Sequence, residues 1–207
     1  MEVITAIVHG GLLAVGLIIP LGIQNIFVFN QGATQPTIIK AFPSIVTASL
    51  CDTILIILAV LGVSLLILEF FWLKLIIYIV GFIFLLYMGC LSWKQSATSL
   101  PQKHHTFSTK KQILFAMSVS LLNPHAIIDT IAVIGTNSIG YTGYAKLAYT
   151  FSCIIVSWIW FWGLAIAGRY LHKIDKHGFW ISQVNRIAAV IMWLIGLYIG
   201  VQIIALL

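Results

Sequence analysis

Long apolar runs alternate with short polar segments along almost the whole chain. The runs fall near residues 3–23, 43–68, 70–91, 112–135, 147–168 and 187–207. A helix needs roughly 20 apolar residues to cross the hydrocarbon core of a bilayer, and each run is about that long. The pattern therefore predicts an all-α integral membrane protein with six transmembrane helices and short connections. It leaves no stretch long enough for a soluble domain.

Prolines and polar side chains interrupt two of the six runs. The first run contains Pro20-Leu21-Gly22-Ile23-Gln24-Asn25, and the fourth contains Leu121-Leu122-Asn123-Pro124-His125-Ala126-Ile127-Ile128-Asp129. A proline inside a helix removes a backbone donor and clashes with the preceding turn. We therefore expect the first predicted helix to break at Pro20 and Gly22, and the fourth to break at Pro124.

The two interrupted stretches are spaced as copies of one unit. Pro20 and Asn25 are five residues apart, and so are Pro124 and Asp129. Pro124 lies 104 positions after Pro20, and Asp129 lies 104 positions after Asn25, which is half of the 207 residues. Because three helices per half is an odd number, the second copy must enter the membrane from the opposite side. The sequence predicts a single transmembrane domain, 1–207, made of two inverted three-helix repeats at about 1–93 and 112–207, joined by a cytoplasmic loop at 94–111.

Composition and charge agree with a membrane protein and set its orientation. Hydrophobic residues make up 61% of the chain and charged residues 8%, against roughly 25% charged in soluble domains. The net charge of +6 does not indicate nucleic-acid binding, because the basic residues lie between the runs. Loops after the first, third and fifth predicted helices hold nine of the 11 lysines and arginines. This excess predicts that those loops lie in the cytoplasm and that both termini lie outside it. The predicted location is the cell (plasma or inner) membrane.

Two acids and one histidine lie deep within the runs, away from their ends, namely Asp52, His125 and Asp129. An Asp at bilayer depth costs about 3 kcal/mol on insertion scales, so such residues usually have a function. With no Lys or Arg at similar depth, the group is net negative, and its natural partner is a cation or a proton. Since burial favours the neutral form of a carboxylic acid, either Asp could alternate between a protonated and a substrate-bound state.

The predicted helix breaks supply the complementary polar groups. The amino-terminal end of a half-helix carries unpaired N–H groups and positive potential, which suit a carboxylate. Gln24, Asn25 and Asn123 add side-chain contacts at the two breaks. Broken helices at corresponding positions of two inverted halves are typical of a transporter site. Two acids beside such helix ends would hold a zwitterion with an extra positive charge, a description that arginine and lysine meet.

These motifs resemble those of the lysine/arginine exporter family, and most of all its arginine exporter branch. The resemblance rests on Pro20 to Asn25 with the following Asn30-Gln31-Gly32, on Cys51-Asp52, and on Leu121 to His125 with Asp129. It covers essentially the whole chain, although Ile23 stands where the family usually has a second proline. It implies secondary export of basic amino acids, driven by the membrane potential or a proton gradient. It also implies site roles for the residues on motif positions: Asn25, Asp52, Asn123, Pro124 and Asp129.

Other functions remain as alternatives. An exporter of neutral amino acids or small metabolites fits the same helices, and a cation carrier or channel fits two intramembrane acids. An enzyme or thiol-redox protein is disfavoured, since the three cysteines show no CxxC spacing and no nucleotide loop appears. We expect no metal and no cofactor. The sequence does not give the oligomeric state, and a homo-oligomer is left open.

Overall fold

The computed structural model describes residues 1–19, 22–62, 106–121, 123–174 and 179–206, together with separate residues between 72 and 94. Much of the predicted third helix and most of the loop at 94–111 therefore lie outside the described residues. Within the described part all regular structure is helical, as the sequence predicts. The division into two halves at about 1–93 and 112–207 remains a prediction.

The first half begins with three helices. They are α1 (Glu2–Ile18), α2 (Ile23–Thr34) and α3 (Ile38–Val60). The directions of α1 and α2 differ by 79°, so the chain turns sharply between them. Thr37 precedes α3, and its side chain accepts a hydrogen bond from the Lys40 N–H and thereby caps the first turn.

The second half contains a longer series of helical segments. They are α4 (Thr109–Leu121), α5 (Pro124–Asp129), a π-helical segment (Thr130–Gly135), one helical turn (Thr136–Ser138), α6 (Gly143–Ile174) and α7 (Phe179–Leu206). Helices α4 and α5 are thus separated at Asn123, inside the fourth apolar run. The π-helical segment continues directly from α5.

Helix α6 is the central element, because α1, α2 and α3 all pack against it. Small residues let the backbones approach closely: Gly10 lies against Tyr149, Gly32 against Ala165, and Gly168 against Phe29. Small residues at such contacts are typical of helix packing in membranes.

Buried residues form two apolar clusters, one near each end of the α3–α6 pair. The first contains Ala6, Ala14, Ile56, Val60, Ile134, Ala145, Tyr149 and Cys153. The second contains Phe27, Val28, Ala41, Ile45, Ala48, Ala116, Phe161 and Ala165. Large apolar side chains such as Leu12, Ile159 and Leu197 point outward and are exposed, as expected of a surface that faces lipid.

Two of the described helices are long and apolar enough to cross a membrane, Ile38–Val60 and Gly143–Leu171. A third span is reached if the bent pair α1–α2 counts as one. These spans come from length and composition alone.

Candidate functional site

Asp52 lies near the middle of α3, half-buried where α2, α3 and α6 meet. Gln24 of α2 donates a hydrogen bond from Nε2 to Asp52 Oδ1 at 2.9 Å. Ser157 of α6 donates from Oγ to Asp52 Oδ2 at 3.0 Å. One carboxylate therefore joins three helices through its two oxygens.

The Asp52 carboxylate keeps unused acceptor capacity. A carboxylate has about four lone-pair positions, and Gln24 and Ser157 occupy two of them. The remaining positions can accept hydrogen bonds from a further donor, and a cationic donor would bind more strongly than a neutral one.

A second interhelix hydrogen bond lies directly beside the first. The indole Nε1 of Trp158 donates to Thr53 Oγ1 at 3.1 Å, and that hydroxyl donates to the Ser49 carbonyl at 2.7 Å. Consecutive residues of α3 are thus bonded to consecutive residues of α6. The two bonds fix the level at which the helices cross.

The beginning of α2 lies next to Asp52. Gly22 precedes the helix in an extended conformation (φ −73°, ψ 170°), and no side chain caps the first turn. Gln24 belongs to that first turn, so the positive end of the helix lies within one side chain's length of the carboxylate. Asn25 is buried and donates from Nδ2 to the Ile18 carbonyl at 2.7 Å, which links the start of α2 to the end of α1.

Asn123 and Asp129 flank α5 in the second half. Asn123 is half-buried and non-helical, and its carbonyl accepts a hydrogen bond from the Ile127 N–H at 3.2 Å. Asp129 is half-buried at the end of α5, where the π-helical segment begins. Asn123 and Asp129 each have an interaction partner. The hydrogen bonds to Asp52 come from Gln24 and Ser157, so the two acids are not directly bonded to each other.

The structure brings together only part of the predicted site. It joins Gln24 to Asp52 and places Asn25 at the start of α2. Among the described residues, α1 ends at Ile18 and α2 begins at Ile23, and α4 ends at Leu121 and α5 begins at Pro124. The breaks at Pro20 with Gly22 and at Pro124 remain predictions. Pro20, and the side chains of Pro124 and His125, lie outside the described residues. The roles of these three residues remain predictions.

Ser157 and Trp158 were not among the predicted site residues. A serine in the middle of an apolar helix is common and carries no local signal. The one signal in the sequence is that Ser157 lies 105 positions after Asp52, within one residue of the 104-residue shift between the two halves.

The described residues hold no group of three or more His, Cys, Asp or Glu side chains that could bind a metal ion. Cys51, Cys90 and Cys153 are not disulfide-bonded.

Comparison with known proteins identifies the family. The chain is 50% identical over 198 residues to the "Putative amino-acid transporter YisU" of Bacillus subtilis (strain 168), covering 96% of this chain and 90% of that protein. It is 30% identical over 199 residues to the arginine exporter protein ArgO of Escherichia coli (strain K12), covering 93% and 92%. ArgO of Shigella flexneri matches to the same extent.

No solved structure matches the chain. The family described as LysE type translocator matches residues 15–202, which is nearly the whole sequence. This confirms the resemblance drawn from the residues around Pro20, Asp52 and Pro124. The chain belongs to the LysE-type translocator family, a family of amino-acid exporters.

Proposed function

We propose that this protein is a secondary exporter of the basic amino acids arginine and lysine. The observation that carries the proposal is the Asp52 carboxylate, held at the junction of three helices with acceptor positions still open. The cationic side chain of the substrate binds Asp52. Its α-carboxylate binds the uncapped amino-terminal end of α2, where the backbone N–H groups and positive potential favour an anion.

Similarity to the arginine exporters supports the basic substrate. Their name states arginine export, and they match this chain over more than nine-tenths of its length. The more similar relative is named only as an amino-acid transporter. The choice of a basic substrate therefore rests on the charge of the site together with these names.

The proposed architecture is that of six transmembrane helices in two inverted repeats, broken at Pro20 with Gly22 and at Pro124. The loops that carry most lysines and arginines lie in the cytoplasm, and both termini lie outside. Asn25 and Gln24 act at the first break, and Asn123, His125 and Asp129 at the second. Either a proton gradient or the membrane potential drives export, with Asp52 or Asp129 as the proton-binding group.

Transport by an Asp52→Asn variant tests the proposal. The purified protein is reconstituted in proteoliposomes and assayed for transport of labelled arginine, lysine, citrulline and leucine at fixed pH gradient and potential. We expect the variant to insert normally and to lose transport of arginine and lysine, because the amide cannot pair with a cation. Glu2→Gln is the matched control, since Glu2 is an exposed acid at the start of α1. Full arginine transport by the Asn variant would exclude Asp52 from the mechanism.

Export of neutral amino acids is the second candidate, and one observation favours it. Both oxygens of Asp52 are already hydrogen-bonded within the protein, so the carboxylate has partners without a substrate. This function predicts equal transport of arginine and its uncharged analogue citrulline. The same assay therefore separates the two candidates, and ion flux without amino acid would instead indicate a cation carrier.

A further inference from the structure

Helices α3 and α6 run antiparallel and cross at Asp52. Near the beginning of α3, Ala41 and Ile45 share a cluster with Phe161 and Ala165 from the later part of α6. Near the end of α3, Ile56 and Val60 share the other cluster with Ala145 and Tyr149 from the early part of α6. The Asp52–Ser157 hydrogen bond lies between these two clusters along both helices.

The two interhelix hydrogen bonds at the crossing join residues with the same separation. Asp52 and Ser157 are 105 positions apart, and so are Thr53 and Trp158. If α3 is equivalent to α6 with a shift of 105, each bond joins a residue to its own counterpart. In an antiparallel pair related by a two-fold axis, only residues at the level of the axis can do this.

The apolar clusters show the antiparallel crossing that an exchange of α3 and α6 by 105 positions requires. Adding 105 to the position of Ala48 in the second cluster gives Cys153 of the first cluster. Subtracting 105 from the positions of Phe161 and Ala165 gives Ile56 and Val60, which also belong to the first cluster. Ala41 and Ile45 shift to within one residue of Ala145 and Tyr149. Any antiparallel pair that crosses at positions 52 and 157 gives this correspondence, so the clusters fix the level of the crossing, and the relation between the halves rests on contacts made by other helices.

Close backbone contacts follow the exchange as well. Gly32 lies against Ala165, and Gly135 lies against Ala59. Adding 105 to position 32 gives 137, two residues from Gly135, and subtracting 105 from position 165 gives 60, one residue from Ala59. The relation therefore extends beyond α3 and α6 to α2 and the π-helical segment.

We propose that the Asp52–Ser157 pair lies on a local two-fold axis between the halves, so that position 157 is a second, equivalent place for the carboxylate of the site. This rests on the proposed function, in which that carboxylate binds the cationic part of the substrate. On the axis, one carboxylate faces both halves in the same way. Ser157 then acts as a positioning residue that holds the charge at the axis.

Moving the carboxylate across the axis tests the proposal. Asp52→Ser alone should lose arginine transport, and the double variant Asp52→Ser/Ser157→Asp should regain it to within about tenfold of the native protein, the cost of one weakened hydrogen bond. The matched control is Asp52→Ser/Ser152→Asp. It places the acid on the same helix five residues away, where Ser152 donates to the Ile7 carbonyl, and it should stay inactive.

The outcomes separate this proposal from the proposed function. Arginine transport by Asp52→Ser at the native rate would overturn the role of Asp52 itself. Loss of transport in the swapped variant at native membrane abundance would overturn the axis alone, as would equal recovery in the Ser152 control.

If the swapped variant does not accumulate in the membrane, a milder pair of variants tests the positioning role of Ser157. Ser157→Ala removes the hydrogen bond to Asp52, and should raise the KM for arginine and reduce selectivity over citrulline, while Ser157→Thr keeps the hydroxyl and should preserve both. Native selectivity in Ser157→Ala would overturn the positioning role.

Discussion

A carboxylate in the middle of a membrane helix is costly unless other groups bind it. Asp52 meets this requirement with donors from two other helices, Gln24 and Ser157. An amide and a hydroxyl stabilise the carboxylate without neutralising its charge. A lysine or arginine in either place would have formed an ion pair and removed the attraction for a cationic substrate.

Replacement of Gln24 by leucine should weaken substrate binding and leave the fold intact. The variant loses the 2.9 Å hydrogen bond to Asp52 Oδ1 and keeps a side chain of similar size. A hydrogen bond between membrane helices contributes about 1–2 kcal/mol, so the KM for arginine should rise about 5- to 30-fold. Transport kinetics in proteoliposomes measure this.

The control for Gln24→Leu is Gln112→Leu. Gln112 is a buried glutamine, whereas Gln24 is half-buried. The Gln112 amide donates to the Lys40 and Phe107 carbonyls and not to Asp52. We expect that variant to lose stability and keep the native KM. An unchanged KM in Gln24→Leu would show that the amide does not position the carboxylate.

At the scale of single residues, side chains whose transfer into a membrane costs free energy could be predicted as site residues, whereas those with a small transfer cost could not. Asp52 and Gln24 could be predicted because a charge or an amide within an apolar run needs an explanation. Ser157 could not, because a serine hydroxyl can bond within its own helix, as Ser120 does with the Ala116 carbonyl. Only the separation from Asp52 distinguishes it.

Helix α6 packs against its neighbours through glycine where the backbones are closest. A Cβ atom at Gly168 would overlap the Phe29 carbonyl, whereas one at Gly163 on the same helix would meet nothing within 4 Å. Forcing extra atoms into a packed contact costs about 1–3 kcal/mol. The contact between α2 and α6 therefore depends on Gly168, as it does on Gly32, and not on Gly163.

The matched variants Gly168→Ala and Gly163→Ala test this contact. We expect Gly168→Ala to lower the thermal unfolding temperature in detergent by several degrees and Gly163→Ala to leave it nearly unchanged. Both proteins carry the same chemical change five residues apart on one helix. Equal unfolding temperatures would mean that α2 can shift away from α6 at little cost.

Arg169 fixes the same helix at its basic end. Its guanidinium donates to the Gln35 carbonyl at 2.6 Å and to the Pro36 carbonyl at 2.5 Å, which joins α6 to the connection between α2 and α3. Two adjacent carbonyls suit the planar fork of arginine, and a lysine cannot reproduce that geometry.

Substitution of Arg169 should therefore destabilise the protein even when the charge is kept. We expect both Arg169→Ala and Arg169→Lys to lower the thermal unfolding temperature, and Lys173→Ala, an exposed residue one turn later, to have little effect. A native unfolding temperature in Arg169→Lys would mean that charge alone acts at this position.

Helix boundaries show where hydropathy is a poor guide. The second apolar run extends to residue 68, yet α3 ends at Val60, and Gly62 follows with a φ of +74°. Glycine in this conformation is a common helix terminator, and a continued run of leucine and isoleucine obscured it. Conversely, α6 continues to Ile174, six residues beyond the apolar run, because Arg169 finds acceptors on a neighbouring segment. Hydropathy measures only the polarity of the side chains. A helix ends where its backbone groups find hydrogen-bond partners outside the helix or where a residue such as Gly62 leaves the helical conformation.

At the scale of the whole molecule, the fold class could be predicted because the bilayer restricts it so strongly. Backbone groups in hydrocarbon must be satisfied internally, which leaves helices as the solution for 20-residue apolar runs. The packing of α1, α2 and α3 on α6 could not be predicted, since side chains that face lipid and side chains that face protein are equally apolar here. Small residues such as Gly32 indicate close contacts but do not name the partner helix.

We predict the orientation of the whole protein from its distribution of charge. Nine of the 11 lysines and arginines lie in loops on one predicted side, and such an excess retains loops in the cytoplasm. A reporter that is active only outside the cell, such as alkaline phosphatase, should therefore be active when fused after Leu207 and inactive when fused after Lys103. A fluorescent protein that folds only in the cytoplasm should give the opposite result at both positions. Three spans between positions 103 and 207 place these positions on opposite sides of the membrane. Equal reporter activity at the two positions would therefore require an even number of spans between them, and the second half could not consist of three spans. The inverted repeat, and with it the axis through Asp52 and Ser157, would then lose its topological basis.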